Sequence, residues 1–290
     1  MNRIGDSELI LNADGSIFHL HLKPENLADN VILVGDQGRV EMVSKYFDEI
    51  EFKVQNREFK THTGTYKGTR VSVLSTGIGT DNIDIVVNEL DALVNIDLEK
   101  RVPKKEHKTL NLIRIGTSGA LQGNIPVDTP VLSVTSIGFD GLLNFYEGNE
   151  KVGNEKIKES FKKHTSWNKN LPNPYFVDAS QYLIDKIGDG MKHGITISAP
   201  GFYGPQGRIL RLNTIDNSLN DKITAFDFEG RKITNYEMES SAIAGLSLLL
   251  GHNAVTVCSI IANRIRKEYS QDYKLAVDKL IKTILDRISA

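Results

Sequence analysis

The chain has 290 residues and few of the features that mark secreted or membrane proteins. Its one cysteine, Cys258, cannot form a disulfide within the chain, as is usual in a reducing compartment. Apolar runs stay well short of the roughly 18 residues that a transmembrane helix needs, so we expect no membrane span. The N-terminal segment MNRIGDSELILNADGS lacks the apolar core of a signal peptide. These absences predict a cytoplasmic protein.

An excess of basic charge is also absent. The 35 Lys and Arg residues are balanced by 37 Asp and Glu residues, which gives a formal net charge of −2. General binders of nucleic acids or membrane surfaces usually carry a basic excess, so we expect neither kind of partner. An anionic ligand would have to be held by a few well-placed cations.

What the sequence does contain is a series of short apolar strands alternating with amphipathic helices. Strands are predicted at 31–34, 59–75 (a hairpin turning at Lys67-Gly68), 110–115, 130–137, 194–198 and 254–262. Helices are predicted after residue 39, from a cap at Asp81, at 237–250 and at 273–288. Their predicted apolar stripes are Val40, Val43 and Phe47 in the first, Ile83, Val86, Val87, Leu90 and Val94 in the second, and Tyr273, Val277, Leu280, Ile284 and Ile288 in the last. This alternation predicts an α/β fold, a single domain over 1–290 with a central mixed β-sheet flanked by helices. Two polar stretches, near 95–108 and 147–174, are predicted to be surface insertions.

Two of the predicted strands end in glycine-containing loops, at Gly35-Asp36 and at Gly116-Thr117. In α/β sheets, ligands collect beyond the carboxyl ends of strands, where backbone amides and helix N-termini favour anions. An arginine lies near each loop, Arg39 and Arg114, and Arg57 is a third candidate. Arginine suits phosphate because its planar fork donates two parallel hydrogen bonds. A single arginine is more often a solvated surface residue. Phosphate binding is therefore indicated only by the three arginines and the two loops taken together.

Two further segments contain candidate binding residues. Glu237 and Glu239 could complement a helix dipole, or they could accept hydrogen bonds from sugar hydroxyls. Gln206 and Arg208 lie in a turn and could recognise the polar edge of a flat ligand. Composition alone favours the ordinary interpretation in both cases.

Eight short segments, however, follow one another along the chain in an order that is informative. They are Phe18-His19-Leu20, Gly35-Asp36-Gln37-Gly38-Arg39, Arg57-Glu58-Phe59, Ser75-Thr76-Gly77-Ile78-Gly79, Arg114-Ile115-Gly116-Thr117-Ser118-Gly119, Phe202-Tyr203-Gly204-Pro205-Gln206-Gly207-Arg208, Tyr236-Glu237-Met238-Glu239-Ser240 and Asn263-Arg264. In this order they resemble the nucleoside phosphorylase family, and within it the uridine phosphorylase branch. The resemblance covers nearly the whole chain apart from the two insertions.

The resemblance implies a role for each matching position. The residues implied in phosphate binding are Gly35, Arg39, Arg114 and Thr117, joined by Arg57 of a neighbouring subunit. Those implied in ribose binding are Met238 and Glu239, joined by His19 of the neighbour. Those implied in base binding are Phe202, Gln206 and Arg208. The residues implied in catalysis are Arg208, Gln206 and Arg114.

The resemblance also implies the reaction and the partners. Phosphate would attack the anomeric carbon of uridine, releasing uracil and ribose 1-phosphate, with phosphate as a co-substrate and no organic cofactor. Gln206, which can donate and accept, would match N3–H and a carbonyl of uracil, and Arg208 would match a carbonyl. Two chains would complete each site, as a homodimer or as a hexamer built from three dimers. Some members hold a monovalent cation at the dimer interface through positions that match Glu58 and Ile78. Asn82 stands where a serine is common in the family, so the sequence does not decide whether this chain binds a metal ion.

The chain departs from the family pattern at the phosphate loop, which usually reads Gly-Asp-Pro-x-Arg. Here Gln37-Gly38 replaces the proline and its successor, and the glycine is expected to loosen the loop. A purine nucleoside phosphorylase of the same fold is one alternative, although such enzymes typically carry an aspartate where this chain has Ala262-Asn263-Arg264. A related hydrolase would not be expected to retain three phosphate-site arginines. A non-catalytic nucleoside-binding protein is the alternative from a different class.

Overall fold

The apolar runs of the sequence form the strands of a mixed β-sheet. The computed structural model describes residues 3–290; Met1 and Asn2, which begin the segment considered for a signal peptide, lie outside the described residues. The strands are β1 (Asn30–Val34), β2 (Glu49–Asn56), β3 (Phe59–Tyr66), β4 (Thr69–Ser75), β5 (Ile96–Asp97), β6 (Val102–Pro103), β7 (Asn111–Ala120), β8 (Pro130–Gly138), β9 (Tyr175–Asp178), β10 (Lys192–Ser198), β11 (Asp227–Phe228), β12 (Arg231–Glu237), β13 (Asn253–Asn263) and β14 (Glu268–Tyr269).

Helices connect most of these strands. They are α1 (Gln37–Ser44), α2 (Thr80–Asn95), α3 (Asn149–Val152), α4 (Glu155–Thr165), α5 (Gln181–Ile187), α6 (Leu219–Ala225), α7 (Ser240–Leu249) and α8 (Tyr273–Ile288). Short 3-10 turns occupy Pro24–Asn26, Leu142–Phe145 and Gly204–Gln206.

The main sheet has the strand order β11-β12-β10-β8-β13-β7-β1-β4-β3-β2, and β9 and β14 are added beside β8 and β13. Strands β4, β1, β7 and β13 are parallel neighbours, whereas β2, β3 and β4 form an antiparallel meander. An antiparallel pairing of β12 with β7 closes β7, β13, β8, β10 and β12 into a ring. This arrangement confirms the predicted α/β fold with a mixed sheet.

Helices cover both faces of the sheet, and their apolar stripes follow the predicted spacing. On one face, α2 and α7 pack together and bury Ile83, Val86, Val87 and Leu90 of the predicted α2 stripe. On the other face, α8 packs with α1 and α5 and contributes buried residues of the predicted C-terminal stripe, Val277, Leu280, Ile284 and Ile288. The predicted hairpin turn is also confirmed, with Lys67 and Gly68 both at positive φ.

The predicted loop over 116–119 is wrong, because these residues extend strand β7. Gly116 pairs with Cys258 of β13, and Gly119 pairs with Tyr236 of β12. Strands on both sides of β7 supply partners for its backbone hydrogen bonds. The paired residues are more than 100 positions apart in the chain. A glycine-rich segment whose strand partners are so distant carries no local sequence pattern that would predict a strand.

Three predicted helix boundaries are also wrong. Glu237 ends strand β12, and α7 begins three residues later at Ser240, because the β12 backbone pairs with β10 up to that point. Helix α2 begins at Thr80 with Gly79 as its N-cap, so Asp81 lies in the first turn and does not cap it. Helix α1 ends at Ser44 and leaves Phe47, placed in the predicted helical stripe, beyond its end.

The two polar stretches differ in how they pack. The stretch 95–108 contains the small β5–β6 hairpin. The stretch 147–174 contains α3 and α4, and α4 buries Ile157 and Phe161 in an apolar cluster with Phe139 and Trp167. Within residues 3–290, no helix has the length and apolar character needed to cross a bilayer.

Candidate active site

The parallel strands β1 and β4 end side by side, next to the middle of β7, which continues to Ala120. In register, Val34 lies opposite Ser75 of β4 and Ile115 of β7. The residues that follow, including Gly35 and Gly116, therefore lie at the same edge of the sheet. Carboxyl ends of parallel strands form the usual ligand-binding edge of α/β folds, so the two predicted phosphate segments are brought together.

The Gly35 segment runs into helix α1, whose N-cap is Asp36. The Asp36 carboxylate accepts a hydrogen bond from the backbone N–H of Arg39 at 3.0 Å and pairs with the Arg39 guanidinium at 3.0 Å. Nη1 of Arg39 also donates to the carbonyl of Ile115 on β7, at 3.3 Å. Burial lowers the pKa of Arg39, against the raising effect of Asp36, and the charge of Arg114 lowers it further. Arg39 is thus fixed between the loop and β7.

Arg114 is the buried cation of the site. Its Nη1 contacts Glu237 at 3.1 Å and the Cys258 thiol at 3.3 Å, and its Nη2 pairs with Glu239. Burial acts to lower the pKa of Arg114, but the carboxylates of Glu239 and Glu237 outweigh it and hold the pKa above its usual range. Nε of Arg114 is buried and has no hydrogen-bond partner within residues 3–290. A buried donor without a partner is costly, so Nε is a ready binding group for a ligand oxygen.

The two carboxylates that flank Arg114 have different surroundings. Glu237 accepts hydrogen bonds from the Ser198 hydroxyl at 2.6 Å and from backbone N–H groups at the start of α7, so its oxygens are largely occupied. Glu239 caps α7 and accepts from Gly79 N–H at 2.8 Å. Burial raises the pKa of Glu239 and Arg114 opposes the shift. Of the two, Glu239 has more capacity left to accept ligand hydroxyls.

The other predicted residues of this edge lie next to the Arg114 cluster in the chain. Met238 is half-buried between the two glutamates. Thr117 is half-buried on β7, three residues beyond Arg114, where it pairs with Ser259 of β13.

Gln206 is buried at the end of a 3-10 turn, and two arginines hold its side-chain carbonyl. Oε1 of Gln206 accepts from Nη1 of Arg208 at 2.6 Å and from Nη2 of Arg264 at 3.0 Å. These bonds fill both lone pairs, and Nε2 has no hydrogen-bond partner within residues 3–290. Gln206 therefore presents only N–H donors, which differs from the expectation that it both donates and accepts.

Arg208 lies over the Phe202 ring, 3.7 Å from its centroid, and donates to the Phe202 carbonyl. Burial lowers the pKa of Arg208 to about 10, with a further contribution from the charge of Arg264. The predicted base-binding residues are thus in mutual contact.

Arg264 lies in one of the segments that match the family, but no role is predicted for it from the sequence. It follows strand β13 directly, donates to the backbone carbonyl of Gln206 and lies 5.1 Å from the Tyr236 ring centroid. The signal that could have found it is the one used for Arg39, an arginine just after a buried strand of the same sheet.

His19 and the turn that carries Arg57 are linked through Asn56. Nδ1 of His19 contacts the carboxylate of Glu89 at 2.6 Å, and the His19 carbonyl accepts from Nδ2 of Asn56 at 2.9 Å. Arg57 follows Asn56 in the chain. Its side chain is exposed, and its backbone has a φ of +54°. Within the described chain, neither His19 nor Arg57 is bonded to Arg114 or Gln206.

Residues of the stretch 147–174 share a cavity with the predicted base-binding turn. The cavity, of about 310 Å³, is lined by Trp167 and Pro172 of the stretch and by Pro205 and Gly207 of the turn. The stretch therefore lies beside the region that carries Gln206.

The residues implied in cation binding lie around Gly77. A Cβ added to Gly77 would lie 2.3 Å from Nδ2 of Asn82 and 3.2 Å from Cγ of Glu58, so these two side chains flank the glycine. The adjacent Ile78 is exposed. Carboxylate, amide and backbone oxygens are suitable ligands for a hard cation. Binding of a monovalent cation at this position stays a prediction.

Comparison with known proteins identifies the family. The profile of the phosphorylase superfamily matches residues 29–288. The chain belongs to this superfamily. A solved structure described as a Trypanosoma brucei nucleoside phosphorylase with uridine phosphorylase activity has a TM-score of 0.87 and 30% identity, and the match covers 97% of this chain and 100% of that one. The superfamily membership and this structure confirm the nucleoside phosphorylase fold.

Curated relatives in the superfamily include proteins named for different bases. A uridine phosphorylase of Thermococcus kodakarensis is 28% identical over 266 residues, which cover 89% of this chain and 81% of that protein. A purine nucleoside phosphorylase of the DeoD type from Bacillus velezensis is 34% identical over 119 residues, 41% of this chain and 46% of that protein. This superfamily member is therefore an enzyme of the nucleoside phosphorylase family, a pentosyltransferase with a nucleoside and phosphate as substrates.

Proposed function

We propose that the enzyme cleaves uridine with inorganic phosphate, releasing uracil and ribose 1-phosphate. The observation that carries the choice of uracil over cytosine is the donor-only surface of the Arg208 guanidinium, held on the Phe202 ring and against Gln206. The 4-carbonyl of uracil can accept from such a surface, whereas cytosine presents an amino donor at the same position. A donor facing a donor leaves both groups without partners.

Phosphate binding is assigned to the edge formed by Gly35, Arg39 and Arg114, with Thr117 beside them and Arg57 supplied by a neighbouring subunit. Support comes from the unpartnered Nε of Arg114 and from the position of Gly35 at a helix N-terminus, where anions are favoured. Arg39 and Arg114 remain positively charged at neutral pH.

Ribose binding is assigned to Glu239 and Met238, with His19 contributed by the neighbour. A carboxylate can accept hydrogen bonds from both vicinal hydroxyls of ribose, and Glu239 keeps acceptor capacity for them. Glu239 pairs with Arg114, which supports a sugar site beside the proposed phosphate site.

In the proposed reaction, the ribosyl group passes from uracil to phosphate in one step. A phosphate oxygen forms a bond to the anomeric carbon as the bond from that carbon to N1 of uracil breaks, and the electron pair of the broken bond moves into the base. Negative charge developing on the uracil carbonyls is stabilised by Arg208 and by the Nε2 donor of Gln206. Donors fixed before the reaction are worth about 3–4 kcal/mol each in other enzymes.

The proposal includes a cytoplasmic homo-oligomer, a dimer that completes each site and a hexamer of three dimers. His19 and Arg57 make no hydrogen bond or ion pair with the Arg114 cluster within residues 3–290, which agrees with a site shared between chains. The buried, unpaired Cys258 is compatible with a reducing compartment.

The test is a comparison of four nucleosides, uridine, cytidine, inosine and adenosine, at saturating phosphate. We expect phosphorolysis of uridine, with cytidine slower by at least about 100-fold and the two purine nucleosides slower as well. Free base and sugar phosphate are measured together by chromatography. Faster cleavage of inosine or adenosine would favour a purine nucleoside phosphorylase. Binding without turnover of any of the four would favour a nucleoside-binding protein.

A further inference from the structure

Gln37 joins the phosphate loop to the turn that carries Arg57. It is the first residue of α1 and follows Gly35-Asp36 directly. Nε2 of Gln37 donates to the backbone carbonyl of Arg57 at 2.6 Å, and Oε1 accepts from Nε2 of Gln55 at 3.2 Å. Both ends of the Gln37 amide are therefore used on the β2–β3 hairpin.

The turn it holds has an unfavourable conformation. Arg57 adopts φ +54°, a left-handed conformation that costs free energy in a residue with a Cβ atom. The neighbouring Asn56 donates to the carbonyl of His19, so the turn is bonded on two sides. The Arg57 guanidinium is exposed and has no hydrogen bond or ion pair within residues 3–290. A tight hairpin turn requires a residue at positive φ, so the turn fixes where Arg57 leaves the hairpin, and its guanidinium stays available to a group outside the chain.

Gln37 also changes the expectation for the phosphate loop. Gly38 lies inside α1 at negative φ, so the loop is not loosened by a left-handed glycine there. A proline at position 37 could not make either side-chain hydrogen bond. The replacement by glutamine adds a restraint that links the loop to the hairpin.

We propose that Gln37 is a positioning residue, which fixes the Arg57 turn and thereby sets the phosphate affinity of the neighbouring subunit. This inference rests on the proposed function, in which Arg57 of one chain binds phosphate in the site of another. Since Gln37 also belongs to the phosphate loop of its own chain, the hydrogen bond links the phosphate sites of two subunits.

The first experiment measures phosphorolysis of uridine while inorganic phosphate is varied. Gln37→Leu removes both side-chain hydrogen bonds, and Gln37→Glu keeps an acceptor for Gln55 but has no donor for the Arg57 carbonyl. We expect both variants to raise the KM for phosphate about tenfold, with the KM for uridine unchanged. Gln181→Leu is the matched control, because Gln181 is the first residue of α5 and is also bonded through its amide, to Asp185. Its KM for phosphate should equal that of the wild type.

The second experiment separates an effect on the neighbour from an effect within the same chain. Gln37→Leu chains are co-assembled with Glu239→Ala chains, whose own sites are expected to be inactive. In each dimer of one Gln37→Leu chain and one Glu239→Ala chain, the one active site then combines an altered phosphate loop with an intact Arg57 turn from its partner, and dimers of this composition are isolated by tags on both chains. We expect the KM for phosphate to return to the wild-type value.

Two outcomes overturn the inference while leaving the proposed function intact. One is a wild-type KM for phosphate in both Gln37 variants. The other is a KM that stays raised in the mixed oligomers, which would place the effect of Gln37 within its own site. Absence of uridine phosphorolysis in the wild-type protein would instead remove the proposed function, and the inference with it.

Discussion

At the scale of single residues, the pairing of Arg114 with Glu237 and Glu239 links the stability of the protein to its site. All three side chains are at most 6% exposed. Removing one member of a buried ion cluster leaves an uncompensated charge, which usually costs more than the intact cluster contributes. The binding residues of this site are therefore also structural residues.

Arg114→Met is expected to lower the free energy of unfolding by about 3–5 kcal/mol, because two carboxylates then stay buried without their cation. Adding Glu239→Gln to this variant should recover part of the loss, since only one buried charge then remains. Urea denaturation at neutral pH measures both effects. Arg211→Met, at an exposed arginine, is the control and should unfold like the wild type. Equal stability of Arg114→Met and the wild type would contradict the prediction.

Arg264 tests the orientation of Gln206. Arg264→Leu removes one of the two donors to Oε1, which frees the Gln206 amide to rotate and displaces the Nε2 donor assigned to a uracil carbonyl. On the proposed function, we expect kcat/KM for uridine to fall about 10- to 100-fold, and the value for cytidine to fall less. Arg266→Leu is a matched control, because Arg266 pairs with Glu268 at the surface. A loss of the same size for both nucleosides would show that Arg264 does not select the base.

At the scale of elements, Asp286 ties helix α8 to the turn between β3 and β4. Its carboxylate contacts the Tyr66 hydroxyl at 2.7 Å, Lys67 at 2.6 Å and Lys282 at 2.8 Å. Hydrogen bonds from Lys282, Lys67 and Tyr66 lower the pKa of Asp286 below its usual value. A depressed carboxylate pKa stabilises the fold above the ordinary Asp pKa, and the contribution is lost as pH falls through the lowered one.

We expect Asp286→Asn to lower Tm by a few degrees at neutral pH. The difference from the wild type should persist down to about pH 4, the ordinary Asp pKa, and close in more acidic solution as the wild-type carboxyl is protonated. Thermal unfolding followed by circular dichroism over this range measures the gap. Glu159→Gln, which removes a carboxylate contacting a single lysine, is the control. A Tm difference that is constant across the pH range would be inconsistent with an electrostatic origin.

At the scale of the whole molecule, the proposed site is divided between chains. Arg57→Ala and Glu239→Ala homo-oligomers should each lose activity, because every site in them lacks one residue. Mixed oligomers should regain part of it, since some sites then combine the intact Glu239 of one chain with the intact Arg57 of another. Differently tagged chains, co-expressed and purified by both tags, provide the mixture for a rate measurement. A wild-type protein that is fully active as a monomer would exclude the shared site.

The position of the proposed phosphate residues at one edge of the sheet was predictable from the sequence because the signal is local. An apolar strand followed by glycine and a nearby arginine identified Gly35, Arg39 and Arg114, and parallel pairing placed them at one edge. The base-binding turn was predictable as a group of residues, but the orientation of Gln206 was not. That orientation depends on Arg264, which lies 58 residues away along the chain.

Apolar periodicity by itself determined the α/β class, the stripes of α2 and α8 and the β3–β4 hairpin, because burial on one face imposes a fixed spacing on the residues that form it. Tertiary structure decided where β7 and β12 end, since their last residues pair with strands distant in sequence. It also decided that Glu237 anchors Arg114 while Glu239 keeps acceptor capacity, because hydrogen-bond partners from β10, α2 and α7 meet only in the folded chain.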